Sequence, residues 1–422
     1  MKTFQFLKAA LFPILAVTAL CTPQQVQAQP YGNEWINFSN TYYKFKIATE
    51  GVYRINKAQL DAIGMGSVSG NQFAIFREGV EVPIYTSATG AFGANDYIEL
   101  YATKADGKMD KELYPVNGYH PNDKVNIISD TAYYFLTYDN TTHQRLQVIN
   151  NPIPSPAPIP APYCLFTSSH NVGERTMWNP GQSHNFNVAH GYFYSSDFDL
   201  GEGYAYYFGT NWNAPVSTEG LVTVNAPAAT LSLSSAGHAL ANNIVQHALV
   251  ARVNGTQVFD TTYAGFKMIN RKVNIPVGLL NSTMSTVQFQ DNANFFSSEL
   301  SLTYPRNYNF AGTLSNRASF QVPAAERYLE IASFNTNGQQ ARLYDKTNGK
   351  VYLGSESGGV VKFYFDPSAT IRDMYLTNVN AIADVINFKS IQFRNYATSA
   401  NQGNYIILSH KDYINASPSY VN

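Results

Sequence analysis

The sequence carries little charge and no strong excess of either sign. Only 14% of its 422 residues are charged, and 28 Lys and Arg against 29 Asp and Glu give a formal net charge of −1. Such a chain has no basic field with which to hold nucleic acid or an anionic membrane. After the first 28 residues there is also no apolar run approaching the roughly 18 residues of a membrane-spanning helix. These absences exclude nucleic-acid-binding proteins and helical membrane proteins as classes.

Cysteine is almost absent, with only Cys21 and Cys164. The first 28 residues have the pattern of a secretory signal peptide, because Lys2 and Lys8 precede an apolar run at 9–20 and VQA at 26–28 is a small-x-small cleavage site. We therefore expect export to the periplasm, the outer-membrane surface or the extracellular space. A lipoprotein would need a small residue before Cys21, but Leu20 stands there.

Cleavage would leave Cys164 as the only thiol of the mature chain, so no intrachain disulfide is expected. An odd cysteine in an exported protein can be a free reactive thiol. The neighbouring residues at 162–166, PYCLF, are largely apolar. This setting favours a small buried residue over a reactive one.

Aromatic residues are abundant, with 30 Tyr and 26 Phe, and the chain also contains 28 Gly and 20 Pro. This composition predicts a mainly β protein. We predict an N-terminal β domain over 29–150, a proline-rich linker at 151–162 and a β-sandwich or jelly-roll-like region over 163–400. A short C-terminal stretch, 401–422, is predicted to begin an α/β domain.

Alternating apolar residues and turn signals predict the individual elements. In the first domain we predict strands at 43–47, 52–55, 73–76, 80–82, 96–101 and 130–137, with a short helix at 56–63 ended by Gly64. In the second region, Asn254-Gly255 and Asn348-Gly349 predict hairpin turns. Further strands are predicted at 300–304, ended by Pro305, and at 328–332, 360–365 and 386–393.

The linker at 151–162 has proline at every second position. Proline fixes φ and removes backbone donors, which predicts an extended connection. Such a segment could also be a ligand for an aromatic groove. A plain linker or a connection along a sheet edge is the preferred interpretation.

The residues at 404–413, NYIILSHKDY, contain an apolar run without alternation at 405–408. Such a run is typical of a strand buried on both faces of a parallel sheet. Ser417-Pro418 then has the pattern of a helix start. A strand followed by a helix is the first half of a βαβ unit, which predicts the start of an α/β domain.

Few residues combine into a candidate catalytic or metal site. The one candidate pair of nucleophile and base is Cys164 with His170, His184 or His190. The preferred interpretation is that these histidines form hydrogen bonds within loops and have no catalytic or metal-binding role. The DGKMD segment at 106–110 hints at a calcium loop, but a polar turn is favoured. The acidic side chains of Asp197, Asp199 and Glu202 form either a cation site or an acidic hairpin tip. No phosphate-binding glycine loop follows a strand, so we assign no catalytic, cofactor-binding or metal-binding residue.

A series of motifs resembles the N-terminal region of the gingipain-type cysteine peptidases, most closely the sortase-like, PorU-type members associated with type IX secretion. The motifs run in order over nearly the whole mature chain: GVYRI at 51–55, FREGVEVP at 76–83, DYIELY at 96–101, DKELY at 110–114, DTAYYFLT at 130–137, DLGEGY at 199–204, VNG at 253–255 and YPR at 304–306.

The resemblance implies that 404–413 is the first strand and loop of a caspase-like peptidase domain. The family's catalytic Cys and His would lie beyond residue 422, so no residue here carries that role. One expected function is therefore the non-catalytic front of an exported cysteine peptidase, whose partners are type IX secretion components or peptide substrates. The alternative is a free-standing secreted β-sandwich module that binds glycans or surface proteins, suggested by abundant Tyr with Trp178 and Trp212.

Overall fold

The computed structural model describes residues 32–116, 118–170, 176–178, 202–237, 245–265, 267–403, 410 and 412. The expectations for the signal peptide, His184, His190, Asp197, Asp199 and the stretch at 404–409 lie outside these residues. The chain divides into two units, Asn40–Phe393 and the two termini, Met1–Ser39 with Arg394–Asn422. In the described part of the terminal unit, a 3-10 turn spans Ser399–Asn401 and Asn401 donates a hydrogen bond to the carbonyl oxygen of Asn395 at 2.8 Å.

Short strands make up most of the larger unit, so the predicted mainly β class is confirmed. The first strands and the one α-helix among the described residues are β1 (Tyr42–Ile47), β2 (Gly51–Asn56), α1 (Lys57–Ala62), β3 (Phe73–Arg77), β4 (Val80–Glu81), β5 (Tyr85–Thr86), β6 (Tyr97–Ala102), β7 (Ala132–Tyr138) and β8 (Gln147–Ile149).

The middle strands are β9 (Cys164–His170), β10 (Thr176–Trp178), β11 (Gly203–Tyr207), β12 (Asn211–Ser217), β13 (Ala229–Gly237), β14 (Gln246–Val253), β15 (Thr256–Ala264), β16 (Met268–Ile275), β17 (Met284–Gln290), β18 (Phe295–Arg306) and β19 (Arg317–Val322). The last are β20 (Tyr328–Ala332), β21 (Arg342–Asp345), β22 (Lys350–Leu353), β23 (Ser355–Ser357), β24 (Val360–Tyr364), β25 (Arg372–Thr377), β26 (Ala383–Asp384) and β27 (Lys389–Ile391).

Among the described residues, three pairs of sheets pack face to face around large cores, and a smaller contact of Val52, Tyr344 and Tyr375 joins the sheet of β2 to the largest sheet. In the first, the sheet β27-β1-β7-β3-β4 faces β26-β2-β6-β5 across a core that contains Phe45, Ile75 and Leu100. The largest sheet runs β10-β11-β18-β9-β19-β25-β21-β22-β8, with β13 joining β18 to β16. One end of it packs on β12-β17-β14-β15, and the other packs on β20-β24-β23. Inward-facing apolar residues from both sheets of each pair form the cores, as is usual in β-sandwiches.

Local sequence signals match the structure at several elements. Asn56 caps α1, because its side chain accepts a hydrogen bond from the Gln59 amide while the Gln59 side chain accepts one from the Asn56 amide. Gly64 follows with φ of +77°. Asn254 and Gly255 both have positive φ, at 48° and 86°, which is the geometry of a two-residue hairpin turn.

Two predicted strand ends are wrong. Pro305 does not end its strand, since β18 continues to Arg306 and Pro305 pairs with Leu165. The Pro305 carbonyl accepts a hydrogen bond from the Val222 amide at 2.9 Å, on a segment outside the paired strand β9. The strand predicted at 386–393 is shortened to β27, and Asn387, at φ of 61°, departs from extended backbone.

The last strands of the larger unit pair with its first strands. β27 pairs antiparallel with β1, and β26 pairs parallel with β2. β8, just before the proline-rich segment, pairs with β22. The N-terminal sheets therefore include backbone from both ends of this unit, while the division into 29–150 and 163–400 stays a prediction.

The proline-rich segment at 151–162 contains no helix or strand. It is anchored at both ends, because the Asn151 side chain donates to the Tyr364 carbonyl at 3.3 Å and the Ala161 amide donates to the Tyr328 carbonyl at 2.8 Å. Between the anchors Ile159 is 91% exposed. The segment is thus an exposed connection tied to the surface of the sheets.

Candidate functional site: a polar groove on the largest sheet

The candidate nucleophile Cys164 is completely buried on β9. Its Sγ donates to the backbone carbonyl oxygen of Arg306 at 3.5 Å, and burial raises the pKa of the thiol to about 12. His170 lies six residues further along the same strand, about 20 Å away at the rise of an extended chain. The His170 ring packs edge-on against Trp212 at 5.4 Å. These two residues form no catalytic pair, and the interpretation of Cys164 as a small buried residue is confirmed.

The acidic residues at 106–110 are used within their own loop. Asp106 accepts from the Lys108 amide at 3.1 Å and contacts Lys108 Nζ at 2.9 Å. Asp110 is buried and accepts from the Asn126 side chain at 2.7 Å and the Ile127 amide at 2.9 Å. Nowhere in the described ranges do three His, Cys, Asp or Glu side chains converge on a point that a metal could occupy.

Trp212, the aromatic residue that suggested a glycan platform, lies between sheets. Its indole stacks on Phe208 at 4.0 Å and on Phe289 at 5.3 Å, beside the core that includes Leu249 and Val287. The side chain of Trp178 lies outside the described residues. Trp212 is partly buried, and its stacking on these two rings uses it for packing between the strands.

A polar site lies on an open face of the largest sheet. The cavity measures about 610 Å³, and its floor is one face of four neighbouring strands, β9, β18, β13 and β16. The floor side chains are hydroxyl, amide or charged groups: Thr167, Ser232, Ser234, Asn270, Lys272, Glu299, Ser301 and Thr303. The alternate residues of β13 and β18, Leu231, Leu233, Leu300 and Leu302, face the opposite way into the core. We call this cavity the polar groove.

A loop from the N-terminal part of the chain, residues 118–124, forms the wall of the polar groove. The Pro121 carbonyl oxygen accepts hydrogen bonds from the hydroxyls of Ser234 at 2.7 Å and Ser298 at 2.8 Å. Asn122 donates to the Ser298 carbonyl at 2.6 Å. Buried hydrogen bonds of this kind hold the wall in a fixed position over the strands.

Gly107 makes this position of the wall possible. Its amide donates to the Asp123 carbonyl at 2.9 Å, and a Cβ atom at Gly107 would lie 2.3 Å from the Asn122 carbonyl oxygen. Such a contact is impossible for a side chain, so only glycine allows the backbone to approach so closely. The turn predicted at 106–110 therefore supports the groove wall.

One ion pair crosses the polar groove, and a second lies on its wall side. Lys124 on the wall contacts Glu299 on the floor at 2.6 Å, and Lys111 contacts Asp123 at 2.7 Å. His120, also in the lining, is buried against the Tyr114 ring with its Nδ1 at 3.3 Å from Asp123. Burial lowers the pKa of this imidazole below its ordinary value. The ring is accordingly neutral at pH 7 and acts as a packing group of the wall.

Sequence reasoning missed the polar groove. A signal was present, since serine alternates with leucine at 231–234 and 300–302, the pattern of a strand with one apolar and one polar face. The wall has no such signal, because its residues lie more than a hundred positions before the floor residues that they contact.

Comparisons with known proteins rest on structure alone, because no family model and no curated protein matches this sequence. The crystal structure of dimeric latent PorU from Porphyromonas gingivalis aligns with a TM-score of 0.50 and 12% identity, covering 83% of this chain and 33% of that one. The fold resembles part of PorU. This chain spans about a third of the length of that protein.

A β-porphyranase of glycoside hydrolase family 86 from Bacteroides plebeius aligns with a TM-score of only 0.20 and 9% identity, over 63% of this chain and 35% of that one. A likeness this low carries no argument about fold or function.

Among the described residues, no helix has the length and apolarity needed to cross a membrane.

Proposed function

We propose that this chain is PorU-like and forms the non-catalytic β portion of an exported gingipain-type peptidase in a type IX secretion context. The observation that carries the proposal is the structural likeness to PorU over 83% of the chain. The ordered series of motifs from 51–55 to 304–306 supports the same relationship. On this proposal the β sandwiches hold or dock a catalytic unit, and peptide-bond chemistry belongs to a Cys and His pair of that unit.

The state of Cys164 supports a non-catalytic role for the described body. A cysteine nucleophile must reach its substrate as a thiolate, with a base in hydrogen-bond range. Cys164 is buried, its pKa is about 12, and its polar partner is a backbone carbonyl. We therefore propose that the body contributes binding and support to the family reaction.

A secreted binding module remains the second candidate, and the polar groove is the observation that favours it. That candidate does not depend on an attached peptidase. The stacking of Trp212 on Phe208 and Phe289 weighs against a glycan-binding module, since an aromatic platform for sugars must have a free ring face.

Tagging the chain in the bacterium that encodes it separates the two candidates. The tagged protein is cross-linked on intact cells, and the recovered polypeptides are identified by mass spectrometry. We expect an N-terminus after Ala28, a surface or periplasmic fraction, and a cross-link to a caspase-like peptidase domain, on the same polypeptide or another, or to a type IX component. An exported chain linked only to glycans or to unrelated surface proteins would favour the binding module. A chain that stays in the cytoplasm would contradict both.

A further inference from the structure

Strand β16 forms an open border of the polar groove. Among the described strands it pairs with β13 alone. Asn270, Arg271 and Lys272 are exposed at three successive positions, although successive side chains of a strand point to opposite faces. Solvent therefore reaches both faces of this strand. An edge strand of this kind presents N–H and C=O groups that can pair with a further strand.

The charge beside this edge is positive and uncompensated. Of the cations that line the polar groove, Lys111 and Lys124 are matched by Asp123 and Glu299. Arg271 and Lys272, on β16 itself, have no carboxylate within ion-pair distance in the described part of the chain. Two positive charges thus lie along the edge, Lys272 on the hydroxyl side beside Ser232 and Arg271 on the side of Leu233.

Charged side chains on an edge strand commonly prevent other strands from adding to it. Here the charges are of one sign only, so the exclusion is selective. A basic or apolar strand would be repelled or would bury an unpaired charge, whereas an acidic strand would gain two ion pairs. The same residues that block general association would then choose one kind of partner.

We propose that β16 and the polar groove bind an extended acidic peptide segment of a partner protein, which adds to the sheet as a further strand. Strand addition gives affinity through main-chain hydrogen bonds and specificity through alternate side chains. The side chains on the groove side lie beside Asn270 and Lys272, and the hydroxyl floor of Ser232 and Ser301 accepts their polar atoms. Phe, Tyr and Trp are missing from the described lining, which disfavours a sugar polymer that needs aromatic platforms. This site goes beyond the proposed function and does not depend on an attached peptidase.

Fluorescence polarisation tests the proposal on the full chain. The probe is a labelled ten-residue peptide that repeats Glu-Glu-Thr-Thr, so that carboxylates lie on both faces of the added strand, compared with peptides that carry Lys or Gln in place of Glu. We expect binding of the Glu peptide only, weakened by added salt because the interaction is between exposed charges. Lys272→Glu and Arg271→Glu should each weaken binding about tenfold, as expected for reversal of a charge at a contact.

A matched control is Lys389→Glu, which makes the same change on the exposed edge strand β27 of another sheet. It should leave the affinity for the Glu peptide unchanged. Two further peptides are methylated on the odd-numbered or on the even-numbered backbone nitrogens. One of the two should not bind, because its methyl groups replace the N–H groups that donate to β16. Circular dichroism on each variant checks that the fold is retained.

Three results would overturn the proposal. The Lys peptide could bind as well as the Glu peptide. The Lys272→Glu variant could bind as tightly as the parent chain. Both methylated peptides could bind as tightly as the unmethylated Glu peptide, while polygalacturonate of equal charge displaces that peptide. This result would mean that the surface holds acidic polymers by charge alone.

Discussion

The thiol of Cys164 donates to the backbone carbonyl oxygen of Arg306, its register partner on the neighbouring strand. This contact places the sulfur in the interior between β9 and β18, where no solvent reaches it. A buried thiol with a raised pKa is an inert side chain, although it is the only cysteine after the predicted signal peptide.

The reactivity of Cys164 is the first test. With its pKa near 12, against about 8.5 for a free thiol, the folded protein holds almost no thiolate at pH 8. In a Cys21→Ser background we expect negligible reaction with a thiol reagent in the native state and one equivalent in guanidinium chloride. Peptide hydrolysis by the purified chain that is lost in a Cys164→Ala variant would contradict this picture.

Glu99 provides a stability test. Its buried carboxylate contacts Arg54 at 2.7 Å and Arg342 at 2.5 Å, and it also accepts the Tyr344 hydroxyl hydrogen bond. Glu99→Gln leaves two guanidinium groups without their anion, which should lower the free energy of unfolding by about 3–5 kcal/mol.

The control for this test is Glu78→Gln, the same substitution in the ion pair with Arg77, where the carboxylate is exposed and Arg77 keeps its hydrogen bonds to Thr103 and Tyr134. An exposed pair is worth roughly 0–1 kcal/mol, so little change is expected there. Urea unfolding followed by fluorescence measures both variants. Equal effects would show that Glu99 has no special part in joining β6 to β21.

The exposed segment at 151–162 should be cleavable without loss of the folded body. A specific protease site inserted after Ala157 lies between the anchors at Asn151 and Ala161. We expect the two fragments to elute together in gel filtration, because β8 pairs with β22 and β27 pairs with β1. They should separate only in denaturant. Fragments that separate in native buffer would show two independent domains.

Gly107→Ala tests the wall of the polar groove. The added methyl would overlap the Asn122 carbonyl, so the wall must shift, at a cost of about 1–3 kcal/mol. Gly278→Ala is the control, because a Cβ there meets open space at ordinary backbone angles. Thermal unfolding reads the stability of both variants. Equal melting temperatures of the Gly107→Ala and Gly278→Ala variants would mean that the wall can move to accept the methyl group without loss of stability.

The elements that the sequence predicts well are those specified by neighbouring residues. The Asn254-Gly255 turn and the Asn56 cap depend on side chains within a few positions, so a pattern identifies them. The pairing of β27 with β1 is different, because ladder hydrogen bonds use backbone groups that every residue carries. No local sequence pattern therefore predicts which strand pairs with β27.

The candidate site divides in the same way. The hydroxyl face of β13 and β18 is visible as alternation of serine with leucine. The loop that covers it is joined through carbonyl groups of Pro121 and Ser298, which carry no signature in the sequence. The burial of Cys164 was predicted correctly because its neighbours are apolar.

The pairing of β26 and β27 with the first strands also fixes an order of events during synthesis. The sheet that begins at Tyr42 lacks its edge strand until residues 389–391 have emerged, so it cannot be completed as the chain grows. Closing a loop of this size is slow and entropically costly. The outer edge of β1 therefore stays without its partner strand until almost the whole unit has been made.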